Sequence, residues 1–376
     1  MKPIQMVDLT GQYAAIGKEM DDAVLQAVRS GRYINGPEVQ AFAEALSDYT
    51  GASYVVPCAN GTDALQIALM ASELKPGDEV IVPDFTYAAA VETVVLLGLT
   101  PVVTDVEAGT FNLDVNKINE AISPKTKAII PVHLFGQITN MENILKISSE
   151  NNLFVIEDNA QSIGAEYIFS NETKKQSGTI GNIGILSFFP TKNLGCYGDG
   201  GAMMTGDEEL AKKLKMISQH GQGAKYHHHL IGCNSRLDTL QAAILLVKLQ
   251  HLDRFMDSRR KVAVFYREHL QELSEFIVLP SVRAYSSHVY NQFTIRVKDG
   301  RRNELQSYLK ERKIPTIVYY PLPMHQQAAF RNIVRIGGDV SVSEDLCDSV
   351  LSLPMHTELD YEQLEYIVEQ IKLFYN

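Results

Sequence analysis

Between residue 54 and about residue 205 the chain alternates short β-branched apolar runs with segments whose apolar positions recur at helical spacing. The runs are SYVVPC, DEVIVPDF, TPVVTDV, KAIIPVHLFG, NLFVIED, IGILSFF and GGAMMTG. Such alternation predicts a mainly parallel sheet covered by helices on both faces, an α/β fold. Between the first two runs Ala64, Leu65, Ala68 and Leu69 share one helical face while Asp63 and Gln66 occupy another, so a helix starting at Thr62 is expected to pack on the sheet. From Arg236 to about Leu270, Leu237, Leu240, Ile244 and Val247 form one stripe, with charges gathering after Asp253. This predicts a long, bent helix that carries the chain out of the first domain. Beyond it, strand-like YNQFTIRV and helix-like NELQSYLKER point to a smaller α+β domain. The expected division is therefore residues 1–250 and 251–376. The segment up to about residue 50 is free to pack on either domain or on a partner subunit.

Composition narrows the partners. The 376 residues suffice for two substantial cores, and 45% hydrophobic with 21% charged residues fits a folded chain. A formal charge of −11 and a pI near 5.4 give no basic field for nucleic acid or an anionic membrane, although a local patch can still hold a phosphate. The most apolar stretch, AAAVETVVLLGLTPVV, is interrupted by Glu92 and Thr93 and punctuated by Gly98 and Pro101. It reads as a buried helix entering a strand, not a membrane span. MKPIQMVDLT shows no apolar run followed by a cleavage site. Cys58, Cys196, Cys233 and Cys347 are scattered without CxxC spacing, as in a reduced cytoplasmic protein. His227-His228-His229 has the look of a metal tract, but consecutive histidines on regular structure cannot all face one ion, and no metal is expected.

Ligands of open α/β sheets gather beyond the carboxyl ends of the strands. Four polar clusters fall there: Asn60-Gly61-Thr62 after VVPC, Thr86-Tyr87 after VIVPDF, Glu157 to Gln161 after LFVI, and Ser187 with Lys192 after ILSFF. Each has a purely structural reading. Gly61-Thr62 can be a helix start, Asp158 a turn cap, Tyr87 a core aromatic, Gly198-Asp199-Gly200-Gly201 a tight turn, and Lys192 an exposed lysine. Together they offer a phosphate cradle, an aromatic face, an acid and an amine on one rim. That set suits an aromatic aldehyde phosphate.

In YINGPEV, CANGTDALQIAL, PVHLFGQ, VIEDNAQSIGA, SFFPTKNLGCYGDGGA, and HGQ followed by NSRLDTLQAAIL, the chain resembles the nucleotide-sugar aminotransferases of the DegT/DnrJ/EryC1/StrS group. The likeness runs almost end to end. Those enzymes depend on pyridoxal 5'-phosphate and share the aspartate-aminotransferase fold (fold type I), a mainly parallel large domain with a smaller α+β one. The resemblance implies that Lys192 is the Schiff-base lysine and proton carrier, and that Asp158 pairs with the pyridine nitrogen. It implies that Gln161 bonds the phenolic oxygen, Tyr87 stacks on the ring, and Gly61, Thr62 and Ser187 hold the phosphate. Asn234 would reach the phosphate of the neighbouring subunit in a homodimer with shared sites, its alternative being a turn or N-cap before a helix at Arg236. His220 and Arg236 become candidate substrate contacts.

One departure concerns Tyr319-Tyr320-Pro321, where many relatives read His-Tyr-Pro. A tyrosine donates a hydrogen bond but carries no imidazole charge near neutral pH, and His325, which matches a histidine of many relatives, is a candidate to compensate. The wording lies closest to enzymes that aminate the 3-keto position of a UDP-linked N-acetylhexosaminuronate, with L-glutamate as donor, in surface-polysaccharide biosynthesis. A 4-keto-6-deoxy sugar is the alternative acceptor. A dehydratase of the same fold would carry histidine in place of Lys192, and a silent binding module would not need Lys192, Asp158 and Gln161 together.

Overall fold

The computed structural model describes residues 2–376. Two helices come first, α1 (Leu9–Ser30) and α2 (Pro37–Thr50). They lead into β1 (Tyr54–Cys58), α3 (Gly61–Ala71), β2 (Glu79–Pro83), α4 (Ala89–Leu96), β3 (Thr100–Thr104), α5 (Ile118–Ala121), β4 (Thr126–Ile129), α6 (Met141–Asn151) and β5 (Phe154–Asp158). A hairpin of β6 (Glu166–Ile168) and β7 (Lys174–Gln176) precedes β8 (Ile183–Ser187), β9 (Gly201–Thr205) and α7 (Glu208–Ile217). A second hairpin, β10 (Gln222–Ala224) and β11 (His227–His228), precedes α8 (Thr239–Gln250) and α9 (Leu252–Leu270). The chain closes with β12 (Ile277–Val278), β13 (Phe293–Val297), α10 (Arg302–Glu311), β14 (Arg335–Ile336), α11 (Ser341–Ser349), β15 (Val350–Leu353) and α12 (Tyr361–Tyr375).

The main sheet has the order β1-β9-β8-β5-β4-β2-β3-β14, in which β9 runs against its neighbours β1 and β8 while the other pairings are parallel. Period-two alternation gives the central strands two buried faces. Ile81, Val155 and Leu186 enter one core with α2, α6 and α8, while Val80, Val82, Ile156 and Ile185 enter the other with α3, α4 and α7. The three-stranded antiparallel sheet β12-β13-β15 builds a separate core with α9, α10 and α12.

Several expectations change. The stripe after Arg236 gives two helices, because the chain turns at His251, whose ring contacts Glu19 of α1 at 2.9 Å. No proline or glycine marks that break. Asn234 and Arg236 precede the first helical residue, Thr239, and within α8 Ala242, Leu245 and Leu249 are buried while Leu240 and Val247 are only half-buried. KAIIPVHLFG is strand only to Ile129. The edge strand β14 belongs to the main sheet although its residues lie in the C-terminal third of the sequence. The N-terminal segment touches one core of the main sheet and the C-terminal core: Phe42 packs edge-on to Phe188, and Ile4 joins the C-terminal core. None of the helices among the described residues is long and apolar enough to cross a membrane.

The end of β5 is fixed by a buried polar knot. Glu157 accepts the amides of Gly178 (3.0 Å), Ile180 (2.6 Å) and Gly181 (2.6 Å) and lies 2.9 Å from His133 Nε2. Thr139 N donates to His133 Nδ1 at 3.2 Å, so the ring proton sits on Nε2 and points at Glu157. Because neighbouring strand residues face opposite ways, a carboxylate anchored here turns Asp158 the other way. Glu157→Ala leaves the imidazole and three amides unpaired in the core and is expected to cost on the order of 3 kcal/mol, read as a lower midpoint in urea unfolding. A loss below about 1 kcal/mol on the same measurement would show that the knot does not hold the strand end.

Candidate active site

A cavity of about 520 Å³ opens at the carboxyl ends of β1, β2, β5 and β8. Its wall includes Gly61, Thr62, Tyr87, Asp158, Gln161, Ser187, Lys192 and Tyr319, so the fold brings eight of the twelve expected site residues together. The turns at four strand ends deliver seven of them, as the strand-end rule requires, and Tyr319 comes from the segment between α10 and β14.

Lys192 stands in the loop between β8 and β9, and that loop is stiff. The amides of Phe188 and Cys196 bond Gly200 O and Phe188 O at 2.8 Å, and Lys192 N bonds Phe189 O at 2.8 Å. Gly195 packs against the Pro190 carbonyl, where a Cβ would sit 2.4 Å from the oxygen. Asn193 reaches Val289 O at 3.1 Å and receives Asn291 Nδ2 at 3.3 Å. Desolvation pushes the Lys192 amine down to about 8 although Asp158 pulls it upward. The Asp158 carboxyl is raised by its burial, opposed by the Ala160 amide (3.0 Å) and by Lys192. A cationic ring nitrogen would give that carboxylate a further counter-charge.

The amino end of α3 also lines the cavity. Asn60 caps it by accepting Asp63 N at 2.8 Å, and the cavity-lining Gly61 and Thr62 carry first-turn amides that have no partner within the helix. Gly61 is required by a close approach, since a Cβ there would lie 2.6 Å from Ser187 Cβ. Gln161 Oε1 accepts Phe135 N (2.7 Å), which leaves its Nε2 toward Tyr320 Oη, 3.5 Å away. Tyr87, 61% exposed, offers its ring without a core to bury it. Thr86 Oγ1 is buried without a hydrogen-bond partner at the cavity wall. A helix amino end, a glycine cradle, an exposed ring, a buried carboxylate and a desolvated amine fit pyridoxal phosphate.

The other four expected residues lie outside the cavity wall. His220 and Asn234 are exposed and Arg236 is half-buried, all between α7 and α8. His325 is hydrogen-bonded to Asp84 at 2.6 Å, with Glu344 3.2 Å from its other ring nitrogen. Asn291, Gln292, Tyr320 and Phe135 line the cavity unanticipated as site residues. Phe135 and Tyr320 lay inside quoted motifs. Asn291 and Gln292 sit at the start of a strand-like run, which carried no such signal.

The model of the DegT/DnrJ/EryC1/StrS aminotransferase family matches residues 14–372, and the chain belongs to that family. It is 44% identical over 364 residues to UDP-2-acetamido-2-deoxy-3-oxo-D-glucuronate aminotransferase of Pseudomonas aeruginosa, covering 97% of this chain and 98% of that one. It is also 44% identical over 373 residues to a pleiotropic regulatory protein of Geobacillus stearothermophilus, covering 99% and 98%. The S. venezuelae DesV crystal structure in complex with a ketimine intermediate superposes with a TM-score of 0.94 at 36% identity, covering 100% of this chain and 99% of that one. The fold is the type I fold of these aminotransferases, and the enzyme depends on pyridoxal phosphate.

An amine held at about 8 is neutral in roughly one molecule in ten at pH 7, against roughly one in a few thousand for an unperturbed lysine. Only the neutral form is nucleophilic. Capture of pyridoxal phosphate by the cofactor-free protein is therefore expected to speed up about fivefold from pH 7 to 8 and to level off above pH 9. Borohydride trapping should place the added mass on the Lys192 peptide. A midpoint near pH 10, or label on another lysine, would contradict the assignment.

Proposed function

We propose that the enzyme moves the amino group of L-glutamate to the 3-keto position of UDP-2-acetamido-2-deoxy-3-keto-glucuronate, in the cytoplasm, for surface-polysaccharide synthesis. The observation that carries the transaminase reading is the half-buried Lys192, its amine desolvated, beside the buried Asp158 in one cavity that the amino end of α3 also lines. Bound pyridoxal phosphate supplies an electron sink for the bond that breaks at the amino-bearing carbon.

The chain's own residues do the rest. Asp158, held by the Ala160 amide, keeps the proton on the ring nitrogen. Lys192 Nζ takes and returns the migrating proton, a task suited to a group whose affinity for it lies near the working pH. Gln161 Nε2 orients the phenolic oxygen, Tyr87 covers the ring, and the Gly61 and Thr62 amides with the Thr62 and Ser187 hydroxyls hold the phosphate.

The positions of His220, Asn234 and Arg236 support a homodimer with shared sites. They lie away from the wall of their own cavity and at least partly open, as residues serving a neighbour's pocket would. Arg236 is assigned to the uronate, since a guanidinium fork suits a planar carboxylate.

Two experiments test this reading. Arg236→Ala should raise the apparent KM tenfold or more for a 3-keto uronate and leave it within about threefold for the neutral hexose counterpart. Equal effects on both sugars would make Arg236 structural, and a wild-type preference for a 4-keto-6-deoxy sugar would overturn the uronate assignment. Mixing Lys192→Ala with Asn234→Ala protomers, each with little activity alone, should restore activity through one intact composite site. No recovery under verified subunit exchange would count against sharing.

A further inference from the structure

Asp84 directly follows β2 and is fully buried. Its Oδ1 accepts His325 N at 2.9 Å, its Oδ2 lies 2.6 Å from His325 Nδ1, and its carbonyl accepts Met324 N at 2.9 Å. Three bonds thus fasten the turn at Met324–Gln326 to one strand end. The other ring nitrogen of His325 lies 3.2 Å from Glu344 Oε1 on α11, which also accepts Gln326 Nε2 at 2.8 Å. Asp105, one residue beyond β3 and buried, anchors the start of the same helix through Val342 N (3.0 Å), Ser343 N (2.8 Å) and Ser343 Oγ (2.7 Å).

Between these tethers and the site lies the segment 318–320. Val318, Tyr319 and Tyr320 pack on the cluster that contains Phe85 and Phe111. The Tyr320 ring centroid is 5.9 Å from that of Phe85 and 6.3 Å from that of Tyr87, with its hydroxyl beside Gln161. Asp84 is three residues before Tyr87, and His325 is five after Tyr320. One carboxylate therefore fixes the roots of both aromatic walls.

We propose that Asp84 and His325 form a latch that sets the gap between Tyr87 and Tyr320, so that His325 is a positioning residue for the acceptor sugar and acts through Tyr320 instead of touching substrate. Both of its ring nitrogens face carboxylates and it is absent from the cavity wall. A side chain so engaged has no free polar edge to offer a sugar. The inference rests on the transamination reading above and deepens it.

The test uses the full-length, cofactor-loaded enzyme and a keto sugar nucleotide that the wild type accepts. His325→Ala should raise the acceptor KM about tenfold while cofactor occupancy, read from its absorbance, is retained. His325→Asn, whose amide can donate where Nδ1–H did, should recover most of that loss. In a Tyr320→Ala background, His325→Ala should add less than about twofold, because the wall it positions is gone. Additive losses, or an asparagine variant no better than alanine, would overturn the latch. If His325→Ala does not accumulate folded, Asp84→Asn, which keeps an acceptor for the His325 amide, carries the same cycle. A wild type that aminates no keto sugar nucleotide overturns the functional reading, whereas an active wild type with an unchanged KM in His325→Ala overturns the latch alone.

Discussion

A lysine amine removed from water must either find counter-charge or give up its proton, and Lys192 stands between these outcomes because Asp158 is its neighbour. Burial lowers the amine to about 8, while the carboxylate holds it above the value burial alone would set. The balance needs Asp158 to stay where it is. Glu157 ensures this from the other side of the strand by taking three loop amides and the His133 proton. Adjacent residues on one strand thus divide the work, one carboxylate anchoring the sheet and the next facing the chemistry.

The end of the site proposed to hold the phosphate follows from the same sheet. The antiparallel strand β9 returns between β1 and β8, and Gly201 passes so near the Asn60 carbonyl that a Cβ would stand 2.4 Å from it. That passage and the Gly61–Ser187 contact bring the start of α3 against the end of β8. Side chains at either glycine would push the helix amino end away from the Lys192 loop. The spacing between the start of α3 and the amine is therefore a property of backbone packing, and the two glycines permit it.

Much of this was legible in the sequence because burial leaves a periodic record. All seven apolar runs contribute a strand to the main sheet, and Ala64, Leu65, Ala68 and Leu69 are buried as their spacing implied. The eighth strand, β14, is two residues long and has no period to read. The break at His251 has no proline or glycine to announce it. Asn291 and Gln292 reach the cavity through a turn fixed by Arg259, whose Nη1 donates to Tyr290 O, Asn291 O and Met355 O. Such contacts join residues far apart in the chain. His325 shows a different gap, for its residue type was visible but its partners, Asp84 and Glu344, were not.

The two ends of the site differ in how complete one chain makes them. Everything assigned to the cofactor ring and aldehyde lies on the wall of a single cavity, whereas His220, Asn234 and Arg236 lie off it, in a segment that also exposes Tyr226 and Ile231 (80% and 86%). Large apolar side chains so open to water lose free energy unless something covers them, and Tyr87 and Phe189 at the cavity are exposed as well. A second copy of the chain would cover such surfaces while delivering the three polar residues to the pocket. On that reading one chain holds the cofactor's ring and aldehyde, while the partner would complete the phosphate grip through Asn234 and add sugar contacts through His220 and Arg236. The acceptor would then meet a pocket with walls of two origins: aromatic walls set by Asp84 and His325 within the chain, and polar contacts brought in from outside it.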